Sequence, residues 1–343
     1  MSPARNLPLA LIVASGLAVA TPTRAHAQWW LLDGRRYHEP LIAGVREPHV
    51  SALGLAWADR FDFQVEDDDP RRVWEIDLGA ELPVLGWESR RAINGRVPAG
   101  AFGIGLWIPI DFHMIEDFVD SSSPIINTDY RFGAMLKLQY GLGTDRWLGV
   151  RTFVGHESTH LGDEFSVVGQ REFPTTFERI NVSWEFVDVT ALYEAGAGSM
   201  FYSLRAGFTY SLKDSYYGTD AESITESPIG PVTASSNRVD PHAGVEAEWE
   251  ELIAGGSGPG WGPYVSLEAR WRSIYDYHKS DPEADEERQL SLNFILGLRK
   301  AGAGGGLARV SPFVRLYHGV NPHGQFRNQS DFTVIGVGLR LTR

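Results

Sequence analysis

Apolar and polar positions alternate along most of the chain after Gly44, and a period of two marks β-strands. In 101–111 the apolar series is Phe102, Ile104, Leu106, Ile108 and Ile110, interleaved with Gly103, Gly105 and Trp107. In 130–140, Tyr130, Phe132, Ala134, Leu136 and Leu138 oppose Arg131, Gly133, Lys137 and Gln139. The same alternation runs through 200–212, 289–299 and the closing stretch from Ile335 to Leu341. Weaker versions lie near 43–57, 73–82, 146–158, 178–189, 242–252, 263–274 and 309–319, giving twelve expected strands. Most are long enough to cross a bilayer at a tilt, which takes about 9–11 residues, whereas ordinary globular strands run to about 5 or 6.

Short glycine-rich turns (141–145, 195–199, 255–262, 301–306) alternate with long polar connections (58–72, 112–128, 159–177, 213–241, 275–288, 320–331). That rhythm predicts an all-β, antiparallel up-and-down transmembrane β-barrel of about 12 strands, with short periplasmic turns and long extracellular loops. The long connection 83–100 is the one misfit, since a short turn is expected there. Trp57, Trp87, Trp107, Tyr140, Trp147, Tyr264 and Trp271 fall near strand ends, where interfacial aromatic girdles are expected.

The first residues supply an address. Arg5, an apolar run from Leu7 to Ala20 and Ala25-His26-Ala27 read as a secretory signal peptide over 1–27. Residues 28–343 are then a single outer-membrane barrel domain. The mean hydropathy of −0.20 resembles that of a soluble globule, but an average cannot see alternation. Absence of cysteine excludes disulfides, thiol nucleophiles and Cys-ligated metals, and a net charge of −13 argues against nucleic acid as a partner. The expected partner is outer-membrane lipid, phospholipid or lipopolysaccharide. Lumen-facing charges such as Arg131, Lys137, Arg205, Glu246, Glu248 and Arg270 mix signs, which favours a plugged, self-satisfied interior over a selective channel.

One strand departs from the pattern. In 146–158, strict alternation places His156 and Ser158 on the same face as Leu148, Val150 and Val154. A bare histidine and hydroxyl on a lipid-facing wall are costly unless paired. Glu178 shares the apolar parity of the next strand and is expected beside Ser158. A base, a nucleophile and an orienting carboxylate are what a serine esterase needs. The bland alternative makes His156 and His160 caps at a strand end and Ser158 a turn residue. A further alternative gathers His156, His160, Asp163 and Glu164 as metal ligands for zinc or calcium.

The His156-x-Ser158 pair, followed by Phe177-Glu178-Arg179, resembles the outer-membrane phospholipase A and lipid A deacylase barrels. By position, that resemblance implies His156 as base, Ser158 as nucleophile and Glu178 as orienting acid. The chain departs from it after Ser158, where Thr159-His160-Leu161 replaces the usual Asn-Gly, and in a longer loop to the third residue. A closer likeness joins His156-Glu157-Ser158-Thr159-His160-Leu161-Gly162-Asp163-Glu164-Phe165 to Asn321-Pro322-His323-Gly324-Gln325-Phe326. Those runs resemble an uncharacterised family of bacterial outer-membrane proteins, which implies an envelope location and no activity. The expectation is an outer-membrane barrel acting as a lipid-facing serine hydrolase on phospholipid or lipid A, requiring no cofactor, with calcium as an optional aid. The alternative is a non-enzymatic envelope barrel of structural, adhesive or narrow-pore function.

Overall fold

The computed structural model describes residues 27–32, 37–59, 71–92, 96–117, 125–161, 181–212, 216–218, 239–250, 252, 260–274, 288–300, 309–327 and 329–342. The signal segment lies almost wholly outside them. The alternating segments become β1 (Gln28–Leu31), β2 (Val50–Ala58), β3 (Arg71–Glu88), β4 (Phe102–Asp117), β5 (Ile125–Gly143), β6 (Arg146–Leu161) and β7 (Asn181–Ala197). They continue as β8 (Met200–Ser211), β9 (Tyr216–Gly218), β10 (Val239–Trp249), β11 (Trp261–Ser273), β12 (Arg288–Lys300), β13 (Arg309–Gly319) and β14 (Phe332–Thr342).

From β2 to β14, leaving β9 aside, each strand pairs antiparallel with the next, and β14 returns to β2 through Val334↔Ala58 to Arg340↔Ser51. Twelve strands therefore close an up-and-down barrel, as the turn rhythm predicts. Closure leaves no row of unpaired backbone groups facing lipid, the condition for a sheet to span a bilayer. Leu78, Ile110, Phe132, Val154, Leu204, Leu296, Val314 and Ile335 point outward and are exposed, while Glu75, Arg131, Lys137, Arg151, Glu157, Glu246 and Arg315 on the alternate positions are buried inside. The polar faces belong to the lumen. This is an outer-membrane-type β-barrel.

Three expectations change in detail. The strand expected over 73–82 runs to Glu88, so the 83–100 misfit shrinks to a connection over 89–101. The segment expected as a strand over 43–57 enters the wall only at Val50; residues before it leave the wall. Trp107, Trp147 and Tyr264 are buried in the lumen rather than girdling the outside, whereas Trp57, Tyr140 and Trp271 are exposed on the outer face. Trp107 goes inward because it shares the parity of Gly103 and Gly105, whose missing side chains leave room for Tyr37 and Trp30.

The departure at 37–49 decides what fills the barrel. β1 pairs with the lower part of β3 (Gln28↔Glu88 to Leu31↔Leu85) and β2 with its upper part (Val50↔Leu78 to Ala58↔Arg71). The two are consecutive pieces of one wall position, and residues 37–49 between them lie in the lumen as a strap. Tyr37, His38, Leu41, Ala43 and Arg46 of the strap are all buried.

Candidate functional site

Alternation through His156-Glu157-Ser158-Thr159-His160 sends His156, Ser158 and His160 outward and Glu157 and Thr159 inward, so the motif serves two surfaces.

On the outer wall, His156 lies opposite Phe132 of β5 and Glu185 of β7, and Ser158 lies opposite Tyr130 and Ser183. Ser158 Oγ is 2.9 Å from His160 Nε2. His156 Nε2 is 3.4 Å from Ser183 Oγ, and its Nδ1 is 3.8 Å from Glu185 Oε1. One imidazole thus has a hydroxyl at Nε2 and a carboxylate on the Nδ1 side, the sense in which a triad is wired, although both distances are loose. The ring of His156 lies tilted against Phe132 at 5.2 Å between centroids, and that of His160 meets Tyr130 edge-on at 5.8 Å. The cluster sits where the aromatic residues of β5 mark the approach to the loop end.

The outward parity expected for His156 and Ser158 is present. Glu178, Asp163 and Glu164 lie outside the described residues. Of the four expected metal ligands, His156 and His160 are placed, and His160 is engaged with Ser158. Glu185 and Ser183 went unremarked in the sequence. Their signal was available: Ser183 and Glu185 alternate with Val182, Trp184 and Phe186, but the parity assigned to that strand put the large apolar residues outside. In the structure Trp184 and Phe186 are buried in the lumen, so Ser183 and Glu185 face outward.

In the lumen the strap is held through its backbone by wall side chains. Lys137 Nζ donates to the His38 carbonyl (2.7 Å), Arg205 to Glu39 O (2.7 Å), Arg340 to Ile42 O (2.8 Å) and Asn293 Nδ2 to Ala43 O (2.6 Å). Glu246 accepts from Ile42 N at 2.8 Å, and Ser266 Oγ from Ala43 N at 2.9 Å. A strap without secondary structure leaves its amides and carbonyls unsatisfied, and the polar inner faces of the strands satisfy them. Side chains add ion pairs. His38 Nδ1 lies 2.9 Å from Glu194 Oε2, and Glu47 forms a bidentate pair with Arg151.

Near the loop end, Arg46 meets Asp129 (3.2 Å) and Glu157 (2.9 Å). Glu157 also receives Arg131 Nε at 3.1 Å and Arg327 Nη2 at 2.7 Å. Arg327 stacks over Trp184 at 3.7 Å from its ring centre. Asp129 accepts from Asn127 Nδ2 (2.9 Å) and from the Gly324 amide (3.1 Å). Residues 320–327 are therefore folded down into the barrel, and the Asn321-Pro322-His323-Gly324-Gln325-Phe326 run meets the inward half of the 156–160 motif there. A side chain at Gly324 would collide with Thr159.

Burial opposes charge on the strap and loop, and the partners decide each outcome. Burial alone would raise the Glu47 carboxyl, but Arg151 brings it down to about 2. Burial disfavours the Arg46 guanidinium, yet Glu157 and Asp129 leave it above its ordinary value. His323 is pushed down to about 3 by burial and by the neighbouring His113, so it is neutral.

Comparison with known proteins adds a family and a fold likeness. A family model described as "Protein of unknown function (DUF1207)" matches residues 5–211. No curated protein matches the chain. Among solved structures, it is similar to the translocator domain of the autotransporter NalP from Neisseria meningitidis, at 9% identity and a TM-score of 0.38, over 86% of this chain and 88% of that one. The transport unit of the autotransporter AIDA-I from Escherichia coli is similar at 11% identity and a TM-score of 0.37, over 87% and 91%. OccAB4 from Acinetobacter baumannii is similar at 7% identity and a TM-score of 0.29, over 91% and 100%.

Proposed function

The chain belongs to the family of unknown function whose model spans residues 5–211, and from there we propose that it is an exported outer-membrane barrel working as a serine hydrolase from its outer wall. Its substrates are acyl esters of phospholipid or lipid A. The observation that carries this reading is His156 on the lipid-facing wall, with Ser183 Oγ at Nε2 and Glu185 on the side of Nδ1. Polar groups at that position cost stability unless they are paired, and these pair with one another. His156 takes the proton of a serine hydroxyl as that oxygen attacks the ester carbonyl, then returns it to the departing lipid oxygen; water releases the acyl group by the same relay.

The hydroxyl is Ser183 in the arrangement described, with Glu185 orienting the imidazole. Ser158, the nucleophile expected from the sequence, stands directly across the strand pair with His160 as its own base. Acyl release from labelled phospholipid and lipid A by the purified protein tests the reading. His156→Asn is expected to lower the rate at least about 100-fold, the usual worth of a positioned base. Ser183→Ala and Ser158→Ala then show which hydroxyl reacts. No release by the parent protein, or equal release by the Ser158→Ala/Ser183→Ala double variant, removes the enzyme and leaves the barrel.

A second reading, a non-enzymatic envelope barrel, is favoured by the filled lumen. With the strap across it and the 320–331 connection folded into it, the barrel serves as a narrow pore only if the strap leaves.

A further inference from the structure

We propose that Glu75, His113 and His323 form a binding site for one divalent transition-metal ion, zinc by its donor set, which fastens the 320–331 connection to the barrel wall. The three residues come from β3, β4 and the connection before β14. One ligand atom from each lies within 4.8 Å of the other two, and all three side chains are buried. Two imidazole nitrogens and a carboxylate oxygen suit zinc and its neighbours; calcium and magnesium prefer all-oxygen sets. Around a tetrahedral ion with bonds near 2.1 Å, ligand atoms stand on the order of 3.4 Å apart, so small side-chain rotations close the present spacing.

The surroundings are arranged as a metal site would need. Asp77 Oδ1 lies 3.2 Å from His113 Nδ1, so a proton kept on that nitrogen leaves Nε2 available to a metal. The other oxygen of Asp77 accepts from Ser51 Oγ at 2.9 Å, fixing the carboxylate in turn. A carboxylate on the far nitrogen of a ligating histidine is the usual support behind a bound metal. Arg315 occupies Oε1 of Glu75, while Oε2 has no hydrogen-bond partner although Glu75 is only 1% exposed. His113 Nε2 is paired with Glu75 Oε1 at 2.7 Å, so the two donors already converge. The buried Oε2 without a partner calls for an explanation, and an ion beside it supplies one. An adjoining cavity of about 20 Å³ touches Glu75, Asp77 and His113, room for roughly one water as a fourth ligand.

The site is distinct from the expected metal cluster of His156, His160, Asp163 and Glu164. It uses His323 from the Asn321–Phe326 run, which the hydrolase reading leaves without a role.

The test uses the full, tag-free chain purified in detergent, stripped with a chelator and reloaded with Zn²⁺ or Co²⁺ alone. About one ion per chain is expected, and bound Co²⁺ should show the intense visible bands of four-coordination. His323→Gln and Glu75→Gln are each expected to weaken Co²⁺ binding at least 100-fold. Asp77→Asn should weaken it about 10–100-fold, as loss of a supporting partner does. His160→Gln, on the outer wall, should leave it unchanged. Heat-modifiable migration on gels verifies that each variant is a closed barrel. If the variants fail to close, the parent protein decides alone: no bound metal after reloading, or Co²⁺ bound without four-coordinate bands, overturns the site. Unchanged affinity in folded His323→Gln, or loss in His160→Gln, does the same.

Discussion

Glu157 stands between two residues that face the membrane and itself faces Arg46, Arg131 and Arg327, one cation from the strap, one from the wall and one from the folded-in connection. Removing it leaves three buried guanidiniums short of a partner, a change that costs about 3–5 kcal/mol where a buried pair is broken from one side. Glu157→Ala is therefore expected to lower the urea midpoint of the detergent-solubilised barrel clearly, whereas Ser158→Ala, one residue on and outward, should leave it within experimental error. Glu47 gives a pH dependence. Its carboxyl is held near 2 when folded and near 4.5 when unfolded, so its contribution is complete above about pH 4.5 and is lost as pH falls toward 2. That difference corresponds to about 3 kcal/mol, and strap protection from protease should fall over this window and not between pH 5 and 8. Glu47→Gln should flatten the fall. The outward placement of His156 and Ser158 was legible in the sequence because alternation needs only neighbours. The partners of Glu157 were not, because Arg46 and Arg327 are distant in sequence and no local period encodes them.

At the scale of elements, the wall was legible and the filling was not. The twelve strands and their turn rhythm follow from alternation, and the structure shifts mainly their ends. The strap carries no sustained period. Its tail, continuous with β2, was read as more strand, because Ala43 and Val45 happen to be apolar at the right parity. The glycines of the inner wall held a clue that composition alone does not decode. Gly149 makes room for His38 and Gly244 for Leu41, so inward glycines on unrelated strands trace the path of the strap. Deleting residues 33–48 and joining β1 to β2 through a short Gly-Ser linker is expected to open the lumen. The parent protein should be nearly silent in planar bilayers and the deletion should conduct steadily. Equal conductance from both would show that the strap does not seal the barrel.

For the whole molecule, the negative mean hydropathy and the net charge of −13 describe a sum over two opposite surfaces. Apolar side chains face outward and most buried charge faces inward, the reverse of a soluble protein. The charged interior is tolerated because strap, wall and connection supply each other's counter-ions. This is also why the mixed signs read from the sequence as a plugged lumen.

The way β1 and β2 share β3 also sets an order of events. β2 completes the circle only when β14, the latest wall strand in chain order, reaches it. The strap between them takes its hydrogen bonds from β5, β8, β10, β11, β12 and β14. Until those strands surround it, the Ile42 and Ala43 amides and the His38, Glu39, Ile42 and Ala43 carbonyls lack these partners, so sealing the interior and sealing the seam become one late, cooperative step of assembly.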